Sequence, residues 1–394
     1  MGIVAVGQPQ IGALAGPGVT SGEQLIKIIV VGRSNRHDAE ILRHKITLTR
    51  ARPGKTVGVP RLRTVSPKDP GWTRRRAGKG FIYLDQTGAR LTATDVQRCK
   101  LLVIPPAWEQ VWICPVPNGH MQAVGTDDAG RRQYLYHEQW RINRDKSKHD
   151  RVLTVAALLP DARKAVAQDL RLDGMPYERA LATAFRLLDL GFFRIGGEAY
   201  AEANNSYGLA TIQKQHVSIE AGTVVFDYVA KSGQERYVAL ADDLVRQAVR
   251  DLLRRRSGGP ELLAYRDGKT WRDVSSADIN AYIKEKVGGE VSAKDFRTWH
   301  GTVIAAVALA GANEKARTPS ARKRAVSGAM KQVSAYLGNT PAVSRKSYVD
   351  PRVIDLFHDG VTIAPTLAAE DADLSDGTTH GRIERAVLNL LRQD

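Results

Sequence analysis

Cysteine is nearly absent from this chain: Cys99 and Cys114 are the two among 394 residues. They form no CxxC pair, which excludes a zinc ribbon and a disulfide framework. A reducing cytoplasm is the simplest home for such a sequence. Long hydrophobic runs are also missing. The apolar stretches are broken by Gly, Pro or Lys, so no membrane-spanning helix is expected. No basic segment precedes an apolar run near Met1, so no secretory signal is expected. Acid is in short supply: 42 Asp and Glu face 58 Lys and Arg, a net charge of +16 and a pI of about 9.9. That field attracts polyanions, because each phosphate neutralised by Lys or Arg releases a condensed counterion.

What is present is the composition of a globular protein, with 43% hydrophobic and 25% charged residues. The length suffices for two cores. Residues 1–61 scatter Gly and Pro and are expected to be a disordered arm, with Leu25–Val31 as one short strand or helical turn. From Leu62 the texture changes. Gly80–Asp85, Trp108–Pro115 and His120–Thr126 read as strands, Thr94–Leu102 as a helix, and Pro117-Asn118-Gly119 as a turn. Arg131–Arg151 then holds seven Lys or Arg against three acids, with Tyr134, Tyr136 and Trp140 interleaved. Tyr134 and Tyr136 share a strand face; aromatics among cations suit a phosphate backbone flanked by sugars and base edges. Trp140 is assigned to packing.

Beyond residue 152 the pattern is mainly helical. Pro160-Asp161 is expected to open a helix, and Pro176 another whose apolar face runs Ala180, Leu181, Ala184, Leu187, Leu188 to a stop near Gly191. Val217–Ile219, Thr223–Ala230 and Arg236–Leu240 read as three strands, with a turn at Lys231–Gln234. Ser275–Asp278 and Ser292–Asp295 resemble capping boxes. Arg317–Arg324 is basic and exposed as a loop or helix start. Residues 364–379 are acidic and poorly patterned; Ile383, Val387, Leu390 and Leu391 mark a final amphipathic helix.

The chain is organised around Ser334–Tyr348. A helical pattern runs to Leu337, Gly338 supplies a left-handed stop, and Thr340 with Pro341 opens a new helix. Tyr348 is expected two turns into that helix, with Pro351 at its end.

Four further segments accompany this stretch in order: Leu190–Gly196, Phe226–Gly233, Lys294–Gly301 and Leu337-Gly338-Asn339. With Ser344-Arg345-Lys346-Ser347-Tyr348 they resemble the type IB DNA topoisomerases, in particular the compact bacterial and poxvirus-like branch. The resemblance runs from about residue 62 to the C-terminus. It implies an α+β protein: a small mixed α/β DNA-clamping domain over 62–152, and a mainly helical catalytic domain with a small antiparallel sheet over 153–394. It implies Tyr348 as nucleophile, Arg194 and Arg297 as catalytic arginines, Lys231 as general acid, and Asn339 where poxviral and nuclear members carry histidine. Val103–Trp108 and Gly130–Tyr136 resemble the clamping domain, which implies DNA contacts for Gln133, Tyr134 and Tyr136. Tyr200 falls at another DNA-contact position. Gly197 lacks a cationic side chain that some relatives place there. His137 and His300 are read as structural.

These roles fit the chemistry. A phenol, with a free pKa near ~10, attacks phosphorus only if its anion is stabilised. Arginine holds two phosphate oxygens and stays charged. Asparagine donates a hydrogen bond but carries no charge. Lysine gives up a proton to a leaving oxygen. The expected activity is relaxation of positive and negative supercoils through a 3′-phosphotyrosyl intermediate, with no metal, ATP or other cofactor. The expected partner is double-stranded DNA, gripped by a monomeric clamp in the bacterial cytoplasm, at the nucleoid. The rival reading is a tyrosine site-specific recombinase. Recombinases usually carry histidine where Lys294 stands, which favours the topoisomerase.

Overall fold

The computed structural model describes residues 61–197, 205–368 and 377–392. The arm expected over 1–61 lies outside them apart from Arg61, and so does Tyr200. The chain divides into two compact units between Asp150 and Arg151.

The first unit is built on an antiparallel sheet of order β2-β1-β3-β4-β5, comprising β1 (Trp72–Ala77), β2 (Gly80–Leu84), β3 (Glu109–Ile113), β4 (Met121–Thr126) and β5 (Arg132–Tyr136). Helix α1 (Ala93–Leu101), capped by Thr92, follows β2. Tyr83, Cys99, Ile104, Val111, Ile113 and Ala123 form its core. Strand β1 had no apolar alternation to betray it. Its Arg74 explains why: the guanidinium lies 4.1 Å over the Phe81 ring and donates to the carbonyls of Ile104, Pro105 and Trp108 at 3.0, 2.8 and 2.9 Å. A cation does the work of a packing residue there.

Helix α2 (Glu138–Asp169) corrects the expectation of a helix opening at Pro160. It already spans most of the basic stretch and runs through Pro160. The proline removes one backbone hydrogen bond, but the buried stripe of Val152, Val155, Ala156, Leu159, Ala162 and Val166 continues past it. Packing of that stripe outweighs the local break.

In the second unit, α3 (Tyr177–Gly191) is followed by the sheet β6-β7-β8, with β6 (Val217–Glu220), β7 (Thr223–Ala230) and β8 (Gln234–Leu240). A separate hairpin, β9 (Ala264–Asp267) and β10 (Thr270–Asp273), lies between α4 (Asp243–Arg254) and α5 (Ser276–Val287). Then come α6 (Ala293–Ala312), α7 (Pro319–Leu337), α8 (Pro341–Ser347), α9 (Pro351–His358), α10 (Ala364–Ala368) and α11 (Gly377–Arg392). Ser275 and Ser292 make the two expected capping boxes. Helix α6 is buried without interruption from Asp295 to Val307 and is the centre of the main core. Pro351 corrects a second expectation. It opens α9, behind the N-cap Asp350, instead of ending the previous helix.

Four helices are joined by one buried ionic group. Arg163 of α2 meets Asp189 of α3 through two 2.8 Å bonds and Glu384 of α11 at 2.5 and 3.0 Å. Trp299 of α6 donates to Glu384 at 2.8 Å, and His300 Nε2 lies 3.5 Å from Asp189. Burial alone would raise the Asp189 carboxyl; Arg163 and His300 hold it well below the usual carboxylate range. Removing Arg163 leaves two buried carboxylates without their cation. Arg163→Met is therefore expected to cost about 3 kcal/mol in denaturant unfolding. A cost under about 1 kcal/mol would show that the network is not holding the helices.

Candidate active site

The C-terminus of α7 is where the sequence segments meet. Gly338 ends the helix in the left-handed conformation (φ 59°). The backbone N–H groups of Gly338 and Asn339 both reach the Ser334 carbonyl. The following carbonyls belong to the helix's unsatisfied end, and three arginines take them. Arg236 donates to Ala335 and Tyr336 at 3.0 and 2.7 Å. Arg297 donates to Leu337 at 2.6 Å, and Arg194 to Gly338 at 2.5 Å. Arg194 also donates to Asn339 Oδ1 at 2.6 Å. Arg297 is 4% exposed and Arg236 7%. Among the described residues, none of the three forms an ion pair with a carboxylate.

Each arginine is aimed by its own element. Phe192 closes α3 with a left-handed backbone (φ 56°), a conformation costly for a non-glycine residue. This turn buries Phe192 and Phe193 and leaves the Phe192 carbonyl to accept from Arg297. Arg194 follows at once. Its carbonyl accepts from Leu209 N–H at 2.8 Å. Gly208 must lack a side chain here, since a Cβ would come 2.9 Å from the Arg194 carbonyl oxygen and 2.4 Å from Gly196 Cα. Arg297 projects from the first turns of α6, and Arg236 from β8.

Tyr348 caps the C-terminal end of α8 rather than lying inside it. The helix is seven residues long, so the expected two turns are used up by Ser347. Its ring lies 5.2 Å from the Arg297 guanidinium carbon. Two residues of α6 seat its backbone. Gly301 allows close approach: a Cβ there would lie 2.7 Å from the Tyr348 carbonyl oxygen. Thr302 Oγ1 accepts from Asp350 N–H at 3.1 Å, just beyond the tyrosine.

The electrostatics follow from this packing. Burial pulls the Arg297 pKa down, Arg194 adds repulsion, and the result is about 10. Burial would raise the Tyr348 phenol, but the charges of Arg297, Arg194 and Lys294 outweigh it and bring it below its ordinary value. Asn339 Nδ2 is buried and unbonded. With Oδ1 committed to Arg194, that N–H₂ is the available donor.

Four of the five expected catalytic residues are thus brought together: Arg194, Arg297, Asn339 and Tyr348. Lys231 opens the turn between β7 and β8; it is exposed and shares none of the bonds just described. Arg236 and Tyr228 were missed. They are register partners across the β7–β8 hairpin, and both are buried. A cation at the inward phase of an alternating strand was the available signal. In the first unit, the Tyr134 and Tyr136 rings stack at 6.1 Å with Tyr134 45% exposed. Gln133 donates to Asp127 at 2.9 Å. Trp140 packs edge-on to His120 at 4.8 Å. Among the described residues no cluster of His, Cys, Asp and Glu is placed to hold a metal ion, and no helix is long and apolar enough to cross a membrane.

Comparison with known proteins gives this geometry its class. Residues 137–359 match the family described as eukaryotic DNA topoisomerase I, catalytic core, and residues 80–127 match bacterial DNA topoisomerase IB, N-terminal domain. DNA topoisomerase 1B of Acanthamoeba polyphaga mimivirus is 33% identical over 73% of this chain and 87% of its own. DNA topoisomerase 1B of Vaccinia virus (strain Western Reserve) is 24% identical over 60% of this chain and 72% of its own. DNA topoisomerase 1 of Schizosaccharomyces pombe is 26% identical over 42% of this chain and 19% of its own. The chain belongs to the type IB DNA topoisomerase family.

Two outcomes follow from the packing around Tyr348. Gly301→Ala forces the Tyr348 backbone away from α6 and should cost about 1–3 kcal/mol in denaturant unfolding; a neutral substitution would remove Gly301 from this role. In ultraviolet titration, the phenol lost in Tyr348→Phe should ionise below ~10. Arg297→Gln should move that ionisation to higher pH, because a stabilising cation is gone. No upward movement would show that Arg297 does not govern the phenol.

Proposed function

We propose that this topoisomerase cuts one strand of duplex DNA with Tyr348 as nucleophile. The phenolic oxygen attacks phosphorus, a phosphotyrosyl bond forms at the 3′ end, and the bond to the 5′ oxygen breaks. Arg194, Arg297 and the Asn339 amide hold the non-bridging oxygens as charge builds. Lys231 gives its proton to the departing 5′ oxygen. The covalent link conserves the bond, so the 5′-hydroxyl can reverse the reaction after the free strand has swivelled. Supercoils of either sign relax, and neither nucleotide nor metal is consumed. Gln133, Tyr134, Tyr136 and Tyr200 contact the duplex, and the enzyme acts as a monomer in the cytoplasm on nucleoid DNA.

The observation that carries this reading is the placement of the Tyr348 ring 5.2 Å from Arg297, with Arg194 and the unbonded Asn339 amide beside it. A nucleophile, a charge that stabilises its anion and two donors for a phosphate lie side by side. Stabilising the anion is what an otherwise weak nucleophile needs. The exposed hairpin tip suits Lys231 for meeting a strand that arrives with substrate.

The test is relaxation of positively and negatively supercoiled plasmid in EDTA without nucleotide, with denaturant added to trap covalent adduct. Wild type should relax both and form the adduct. Tyr348→Phe should bind DNA with wild-type affinity and do neither. Residual relaxation by that variant would displace Tyr348 from the role, and relaxation only with added metal or nucleotide would overturn the energetics.

A further inference from the structure

We infer that Arg236 is a positioning residue for this reaction: from the β7–β8 hairpin it fixes the end of α7, and so sets the Gly338–Asn339 corner that meets the phosphate. The inference rests on the reading of Tyr348, Arg194 and Asn339 just given.

The bonding pattern carries the argument. Arg236 holds Ala335 and Tyr336, the two carbonyls before those held by Arg297 and Arg194. It also fills the space beside the corner itself. A Cβ on Gly338 would lie 2.9 Å from Arg236 Nη1 and 3.1 Å from its Cδ. The left-handed turn that presents Asn339 is therefore built against this side chain. Across the hairpin Arg236 stands beside Tyr228, its register partner, whose buried phenol also feels the charges of Arg297 and Arg194.

An arginine bonded to carbonyls alone can be structural, as Arg74 is; what distinguishes Arg236 is the charge around it. Arg163 is buried against two carboxylates, Asp189 and Glu384. Among the described residues Arg236 has neutral carbonyls and a phenol for company, next to two more arginines. Such a like-charged cluster costs stability unless an anion completes it. The negative end of the α7 dipole offsets part of that cost. Arg236 also shares its hairpin with Lys231, five residues back along the chain. It therefore ties the element bearing the general acid to the turn bearing the oxyanion donors.

The test uses the full chain with Arg236→Met and Arg236→Lys, each also combined with Asn339→Ala. The readouts are single-turnover cleavage of a duplex whose cut fragment diffuses away, DNA affinity, and denaturant unfolding. A misplaced corner should slow cleavage about 100-fold in Arg236→Met, with DNA affinity within about threefold. Arg236→Lys, keeping the charge but losing the two-pronged grip, should sit between it and wild type. If Arg236 acts through the corner, its substitution should cost less than about tenfold once Asn339 is already Ala, because the two effects are not additive. Should Arg236→Met fail to fold, the Arg236→Lys cycle decides alone. Equal costs in both backgrounds, a rate loss matched by lost DNA affinity, or a wild-type rate in folded Arg236→Lys would overturn the inference. Absence of any Tyr348 adduct in wild type would instead bring down the reading beneath it.

Discussion

The end of α7 is the constraint on which the site depends. A helix C-terminus leaves carbonyls without partners and carries partial negative charge. Here Arg236, Arg297 and Arg194 cover the carbonyls from Ala335 to Gly338 in order. The carbonyls pay for part of the burial of the cations, and the cations complete the helix end. The compensation is incomplete, since half a unit of negative charge, roughly, faces three positive charges. The remainder is what a phosphate brings; it adds to burial in lowering the Arg297 pKa and outweighs burial in lowering that of Tyr348.

The same corner organises parts of the chain far apart in sequence. Arg297 joins the last turn of α7 to the Phe192 carbonyl at the end of α3. Arg194, one turn of chain later, reaches Gly338 and Asn339. Helix α6 supplies both Arg297 and the Gly301–Thr302 seat for Tyr348, so the tyrosine and the cation beside it are positioned by one buried element. Behind them, Trp299 and His300 anchor that element to Glu384 and Asp189. The site is held by the core of its unit, and Lys231 stands exposed at the hairpin tip.

Much of this was legible in the residues. Gly338 as a left-handed stop, Thr340 with Pro341 as a helix start, the serine capping boxes and the final amphipathic helix all rest on local chemistry, and local chemistry decided them. The order of Arg194, Lys231, Arg297, Asn339 and Tyr348 pointed to one site, and the fold brings four of these together. The failures were of another kind. Pro160 and Pro351 look like punctuation in the sequence, but a long buried stripe overrides the first and an N-cap at Asp350 makes the second a beginning. Strand β1 hid behind Arg74, whose role is satisfied by carbonyls distant in sequence. Arg236 was hidden for the same reason: its partners lie about a hundred residues away, on α7.

Arg194, Arg236 and Arg297 form a cationic cluster beside Tyr348 that, among the described residues, no carboxylate pairs with. The most direct test is a crystal of this protein soaked in tungstate, a tetrahedral stand-in for phosphate visible by anomalous scattering. One strong peak is expected, bounded by Arg194, Arg297 and the Asn339 amide and touching the Tyr348 oxygen. Tungstate bound elsewhere with none beside Tyr348, or a carboxylate of the chain in that place, would show that the arginines are not arranged for an anion.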